Sequence, residues 1–131
     1  MKSELISLVE ISTFTGLLWI PYVLNRMVVA GIDDTVGYPA NVPPLAPWAQ
    51  RLRAAHANAV ENLVVFAALV LAAQALDIHT PAIAFAGSLY LASRILHAIV
   101  YALGIKWLRT IAFTGGFVAQ MIVAWQLLGN A

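Results

Sequence analysis

Apolar runs separated by short polar breaks divide the chain into four hydrophobic segments, from about Leu5 to Leu24, Ala54 to Leu76, Ala82 to Leu103 and Leu108 to Leu128. Each is long enough to cross a hydrocarbon core of about 30 Å, which takes roughly 20 helical residues. The pattern predicts an all-α fold, an integral membrane bundle of four helices. Asp77 to Pro81 forms a polar turn in which Pro81 suits the first position of a new helix. Gly104-Ile105-Lys106-Trp107 predicts a second tight hairpin, with a cation and an aromatic ring at headgroup depth. The stretch from Asn25 to Arg53 carries Asp33, Asp34, Gly37, Pro39, Pro43, Pro44 and Pro47, a composition that resists regular helix. It reads as the one substantial extramembrane loop.

Composition narrows the function classes. With 62% hydrophobic and only 10% charged residues among 131, no soluble surface can be built and no separate soluble domain is left over. A net charge of +1 without a run of Lys or Arg argues against a nucleic-acid partner. The absence of cysteine excludes disulfides, thiolate metal sites and protein-based thiol chemistry, so any thiol must arrive with a ligand. Four crossings place Arg26, Arg51, Arg53, Lys106 and Arg109 at one membrane face and Lys2 at the other. The positive-inside rule then puts the long loop in the cytoplasm and the termini outside, which in a bacterial host means the inner membrane.

The polar residues at membrane depth carry the chemistry. Arg94 falls near the middle of the third segment, where insertion costs at least about 2.5–3.5 kcal/mol. His97 and Tyr101 follow it at i+3 and i+7 and share its stripe. In the second segment Asn58 and Glu61 share a face, and Glu61 is the expected ion-pair partner of Arg94, within or between subunits. A pair that only locks helices together is as good a reading of these two as ligand contact. His97 and Tyr101 taken alone fit interhelical hydrogen bonding, and Arg26, Arg51, Lys106 and Arg109 fit snorkelling anchors. His56 and His79 read as interfacial. No metal site is expected, since His56 to Glu61 lacks a second histidine at zincin spacing. Ser88 and Ser93 have no base partnered by an acid, so no hydrolytic triad is expected either. What remains is a cationic, hydrogen-bonding cluster suited to a small anion.

Two stretches carry a family resemblance: Arg51 to Asn62, which reads RLRAAHANAVEN, and Arg94 to Tyr101, RILHAIVY, followed by Arg109-Thr110. Together with the length, the four spans and the long first loop, they resemble the MAPEG family, the membrane-associated proteins in eicosanoid and glutathione metabolism, in particular bacterial relatives of microsomal glutathione transferase. The resemblance implies a homotrimer binding glutathione between neighbouring subunits near the cytoplasmic side. By position it assigns Asn58, Glu61, His97 and Tyr101 to glutathione, Arg26 to its carboxylate, and Arg109 to stabilising the thiolate. Two positions depart from the pattern. The arginine expected four residues before Asn58 is replaced by Ala54, and the nearest, Arg53, lies one residue off, about 100° around the helix. Phe113 stands where some members have a tyrosine four residues after Arg109.

The resemblance implies a glutathione-dependent transferase or peroxidase acting on lipophilic electrophiles or hydroperoxides. The family also contains non-catalytic members that bind a lipid or present it to a partner, which is the second reading. A small transporter or channel is the third, because polar stripes can line a pore.

Overall fold

The computed structural model describes residues 2–130, and among these the only regular structure is helix. Six helices follow in order: α1 (Ser3–Leu17), α2 (Trp19–Ala30), α3 (Ile32–Val36), α4 (Pro47–Ala75), α5 (Pro81–Leu103) and α6 (Lys106–Gly129). Taken together, α1 and α2 form one apolar stretch from Ser3 to Ala30, and with α4, α5 and α6 they make four helices long and apolar enough to span a membrane. The break between them at Leu18 has a local cause. Pro21 cannot donate to the Leu17 carbonyl four residues earlier, and its ring crowds that carbonyl.

The connections are set by backbone chemistry. Gly104 ends α5 in the left-handed conformation, φ 79°, where a Cβ would be strained. Gly104 N–H bonds Tyr101 O and Ile105 N–H bonds Val100 O, closing a Schellman turn. The same pair of bonds closes α4, from Asp77 N–H to Gln74 O and Ile78 N–H to Ala73 O, with Asp77 at φ 53°. Thr80 then caps α5, its side-chain oxygen accepting from Ile83 N–H at 3.2 Å, and Pro81 occupies the first turn as expected.

Two boundaries differ from the sequence reading. The first span runs to Ala30, beyond Leu24, and α4 starts at Pro47, not at Ala54. Arg51 and Arg53 therefore ride on α4, and the irregular connection shrinks to the residues between Ala30 and Pro47, with α3 inside it. Proline accounts for the second shift: Pro47 stops a helix in mid-course but suits its first turn.

Helix α5 is the centre of the bundle, packing on α1, α4 and α6, and it is the most buried of the four spans. The core gathers Ile11, Phe66, Val70, Ile83, Tyr90 and Val123, with the rings of Phe66 and Tyr90 stacked at 3.8 Å between centroids. Small residues bring the backbones together, as van der Waals packing in lipid requires. A Cβ on Gly87 would lie 3.1 Å from Glu4 Cα, across the α1–α5 crossing. One on Gly116 would lie 3.1 Å from Arg94 Cδ, across α5–α6.

Candidate functional site

The polar residues gather in two groups on different sides of α4. The first lies where α2, α4 and the connecting loop meet. Tyr22, Arg26, Thr35, Leu45 and Arg53 line an open cavity of about 440 Å³, and an adjoining one of about 350 Å³ shares Arg26, Leu45 and Arg53 and adds Pro44 and Gln50. The walls are fixed by hydrogen bonds. Arg26 Nη1 donates to Pro43 O at 2.7 Å, Ala46 N–H donates to Asn25 Oδ1 at 2.9 Å, and the Tyr22 hydroxyl shares a 2.7 Å bond with His56 Nδ1. Arg53 thus stands beside Arg26 despite its offset in the sequence. Around a helix 100° is a large angle, but the arginine stem is long and α2 packs against that flank of α4.

The second group joins α4, α5 and α6. Arg94, only 2% exposed, donates from Nη2 to Asn58 Oδ1 at 2.6 Å. Asn62 Nδ2 donates to Asn58 O at 2.9 Å, and Gln120 Nε2 reaches across from α6 to Asn62 O at 3.0 Å. One turn along α5 from Arg94, the buried His97 ring meets Tyr101 edge-to-face at 5.5 Å and approaches Phe113 at 6.1 Å. The Arg109 guanidinium carbon lies 4.7 Å from the Tyr101 ring centroid, in cation–π contact. Arg109 is exposed, and its side chain has no hydrogen bond or salt bridge to the described residues.

The expected Glu61–Arg94 ion pair does not form within the chain. Glu61 lies on the outward flank of α4 and is exposed, whereas Arg94 is enclosed between α4 and α6 and takes Asn58 instead. The reason is angular. Residues three apart on a helix point about 60° away from each other, and on α4 that angle separates the α5-facing side from the outer one. The same outer side carries Ala54, Ala57, Val64, Ala68 and Leu71 at spacings of three and four, all exposed in the single chain.

The resemblance assigns Arg26, Asn58, Glu61, His97, Tyr101 and Arg109 to one site between neighbouring subunits, with Arg53 off the family position, and a single chain holds these residues in separate places. It brings Arg26 to Arg53, Asn58 to Arg94, and His97 to Tyr101 and Arg109, and it leaves Glu61 alone. Arg51 has a local task that sequence reasoning missed, donating from Nε to Ala102 O at 2.9 Å at the end of α5.

A second network at the opposite end was also missed. His79 Nδ1 bonds Glu4 Oε1 at 2.9 Å, its Nε2 bonds Asp77 Oδ1 at 3.1 Å, and Lys2 Nζ reaches Asp77 at 3.3 Å. These contacts tie the N-terminus to the α4–α5 turn. The hydrogen bond and charge of Lys2, with a further share from His79, hold the Asp77 carboxyl below the usual carboxylate range. The four-span topology already placed Lys2, Glu4, Asp77 and His79 at one end, and that was the available signal. Glu4 and Asp77 meet opposite nitrogens of the His79 ring and so do not converge on one point, and among the described residues no group of three His, Asp or Glu side chains could hold a metal ion.

No curated protein and no solved structure gives a significant match. The family model of MAPEG, however, matches residues 10–129, nearly the whole chain, and covers both polar groups, most of the first span and the whole of the other three. With four apolar helices of spanning length, this integral multi-pass membrane protein belongs to the MAPEG family.

Proposed function

We propose that the protein is a membrane-embedded, glutathione-dependent transferase or peroxidase acting on lipophilic electrophiles or hydroperoxides. MAPEG members generally use glutathione, and the family includes transferases, peroxidases and other members. The observation that carries the reading is Arg109: an exposed guanidinium in the first turn of α6, paired with no carboxylate among the described residues and resting on an aromatic face. A thiol of pKa near about 8.5 is mostly protonated at neutral pH, and a cation beside it raises the thiolate fraction. The free backbone N–H groups at the start of α6 add to the positive field there.

The thiolate sulfur would attack an electrophilic carbon, forming a thioether while the leaving group departs with the bonding electrons. With a hydroperoxide it would attack the outer oxygen. The O–O bond breaks, the alkoxide takes a proton to become the alcohol, and the sulfenic acid is reduced by a second glutathione, giving the disulfide and water. Both are nucleophilic displacements by one activated thiolate.

The two polar groups would form one site across copies of a homotrimer. Arg26 and Arg53 suit a carboxylate, while the second group would place the thiol at Arg109. Asn58 Oδ1 is engaged by Arg94, so its amide nitrogen is what remains for a ligand, and Glu61 faces outward where a neighbour's ligand could donate to it. The exposed stripe of small side chains around Glu61 on α4 supports a close helix contact between copies. The long loop would lie in the cytoplasm and the termini outside.

The test is turnover by purified protein with glutathione and either 1-chloro-2,4-dinitrobenzene or cumene hydroperoxide. Arg109→Ala is expected to abolish turnover while the oligomer survives, because Arg109 is exposed and its one contact to another helix is the Tyr101 ring face. No turnover with either acceptor, or turnover indifferent to Arg109→Ala, would sink the enzyme reading in favour of a non-catalytic lipid-binding member.

A further inference from the structure

We propose that Tyr101 is a positioning residue for Arg109: its ring face, independently of its hydroxyl, holds the guanidinium where the thiol would be activated. The functional half of this rests on the glutathione reading above; the structural half does not.

Arg109 stands where its charge is least welcome. It lies in the first turn of α6, which begins at Lys106, and the unpaired N–H groups and dipole of a helix N-terminus repel a cation. Lys106, three residues earlier, adds a second positive charge on the same end. No carboxylate among the described residues bonds or pairs with Arg109 to offset this. The Tyr101 ring does so instead, with its centroid 4.7 Å from the guanidinium carbon, because the negative face of an aromatic quadrupole attracts a cation.

Tyr101 is itself braced. Its ring is met edge-on by His97, whose own ring is buried between α5 and α6 and approaches Phe113, one turn beyond Arg109 on α6. The stack therefore joins the end of α5 to the start of α6 across the Gly104 turn, and Tyr101 presents one face to Arg109. A π face attracts the guanidinium without consuming any of its five N–H donors. A carboxylate in that role would take two of them and neutralise the charge on which thiolate stabilisation depends. An aromatic platform restrains the cation and leaves its donors for an anion, an arrangement that suits an activating residue better than an ion pair.

The division of labour within Tyr101 can be measured. Tyr101→Phe keeps the ring and loses the hydroxyl; Tyr101→Leu and Tyr101→Met keep apolar bulk and lose the π face. Each is compared in the full-length protein by two readouts. One is the rate at which phenylglyoxal modifies Arg109, followed at its own peptide by mass spectrometry. The other is the pH titration of the thiolate absorbance of bound glutathione.

Losing an exposed cation–π contact should raise the phenylglyoxal rate roughly 2- to 5-fold in Tyr101→Leu and Tyr101→Met. It should also shift the thiolate midpoint upward in both. Tyr101→Phe should match the parent in both readouts, whatever the lost hydroxyl does to the KM for glutathione. If Tyr101→Phe moves both readouts as far as Tyr101→Leu, the hydroxyl is the agent and the proposal is overturned. It is also overturned if Tyr101→Leu and Tyr101→Met leave Arg109 reactivity at the parent rate while the oligomer and its thermal midpoint are intact. Should Arg109 reactivity follow the ring while the parent shows no bound thiolate, the positioning role stands and the glutathione reading falls. Should the parent turn over while Arg109 reactivity ignores the ring, the reading stands and the positioning role falls.

Discussion

The Arg94–Asn58 contact offers the most direct test of the interior. Arg94 is 2% exposed and donates to Asn58 Oδ1 at 2.6 Å, its one side-chain bond to a described residue, while its Nε and Nη1 and the Tyr90 hydroxyl have no partner among them. Two magnitudes compete. Hydrogen bonds between transmembrane helices average about 0.6 kcal/mol and reach about 1.7, whereas bonds to charged groups run about 1.5–3 kcal/mol. The burial and short length of this bond place it in the second range, and removing Asn58 also strands the cation, so a double-mutant cycle of Asn58→Leu and Arg94→Met should give a coupling of about 3 kcal/mol or more. Asn58→Leu alone strands a buried cation and should cost about 3 kcal/mol or more. Arg94→Met should cost less, because it removes the charge as well as the bond, and Asn58→Leu should then be nearly neutral in that background. The assay is reversible unfolding of the purified protein in mixed micelles, titrated with a denaturing detergent. If the two single changes add to within about 0.5 kcal/mol, the bond is not what holds Arg94 in place.

Other parts of the fold make separate predictions. Gly87→Ala would set a Cβ 3.1 Å from the Glu4 backbone and 3.3 Å from Ser7 Oγ, so α1 must move off α5; the expected loss is about 1–3 kcal/mol, seen as a lower thermal midpoint. Thr80→Ala removes the side-chain cap on Ile83 N–H and should cost about 1 kcal/mol in the same assay. Asp77, with its carboxyl held below the unfolded value of about 3.9 by Lys2 and then His79, contributes stability that is present above that value and is lost as pH falls through the depressed one. Acid should therefore lower the thermal midpoint less in Asp77→Asn than in the parent. An identical acid response in both would remove Asp77 from the account.

Much of the scaffold was legible in one dimension. Hydrophobic run length is a local quantity with a fixed ruler, so four spans, the turn at Asp77 to Pro81 and the break at Gly104 could be read directly. Local backbone rules also explain the boundary errors, since Pro47 was read as a breaker and serves as an opening residue of α4. The stripe of Arg94, His97 and Tyr101 followed from helical period alone, and the structure keeps the three on neighbouring turns of α5.

Which residue each of these meets could not be read that way. Glu61, three residues from Asn58 on the same helix, was the expected partner of Arg94; within the chain, packing of α5 against α4 gives Arg94 to Asn58 and leaves Glu61 outside. Arg53, about 100° off the family position, lines the same cavity as Arg26 because α2 lies beside α4. Arg109 and Tyr101 come together because the Gly104 turn folds the start of α6 back along the end of α5, a geometry absent from any count of residues. Period and polarity are properties of one helix and survive in the sequence. Partnership depends on the rotation and separation of two helices, which the packing of small residues such as Gly87 and Gly116 decides only in three dimensions.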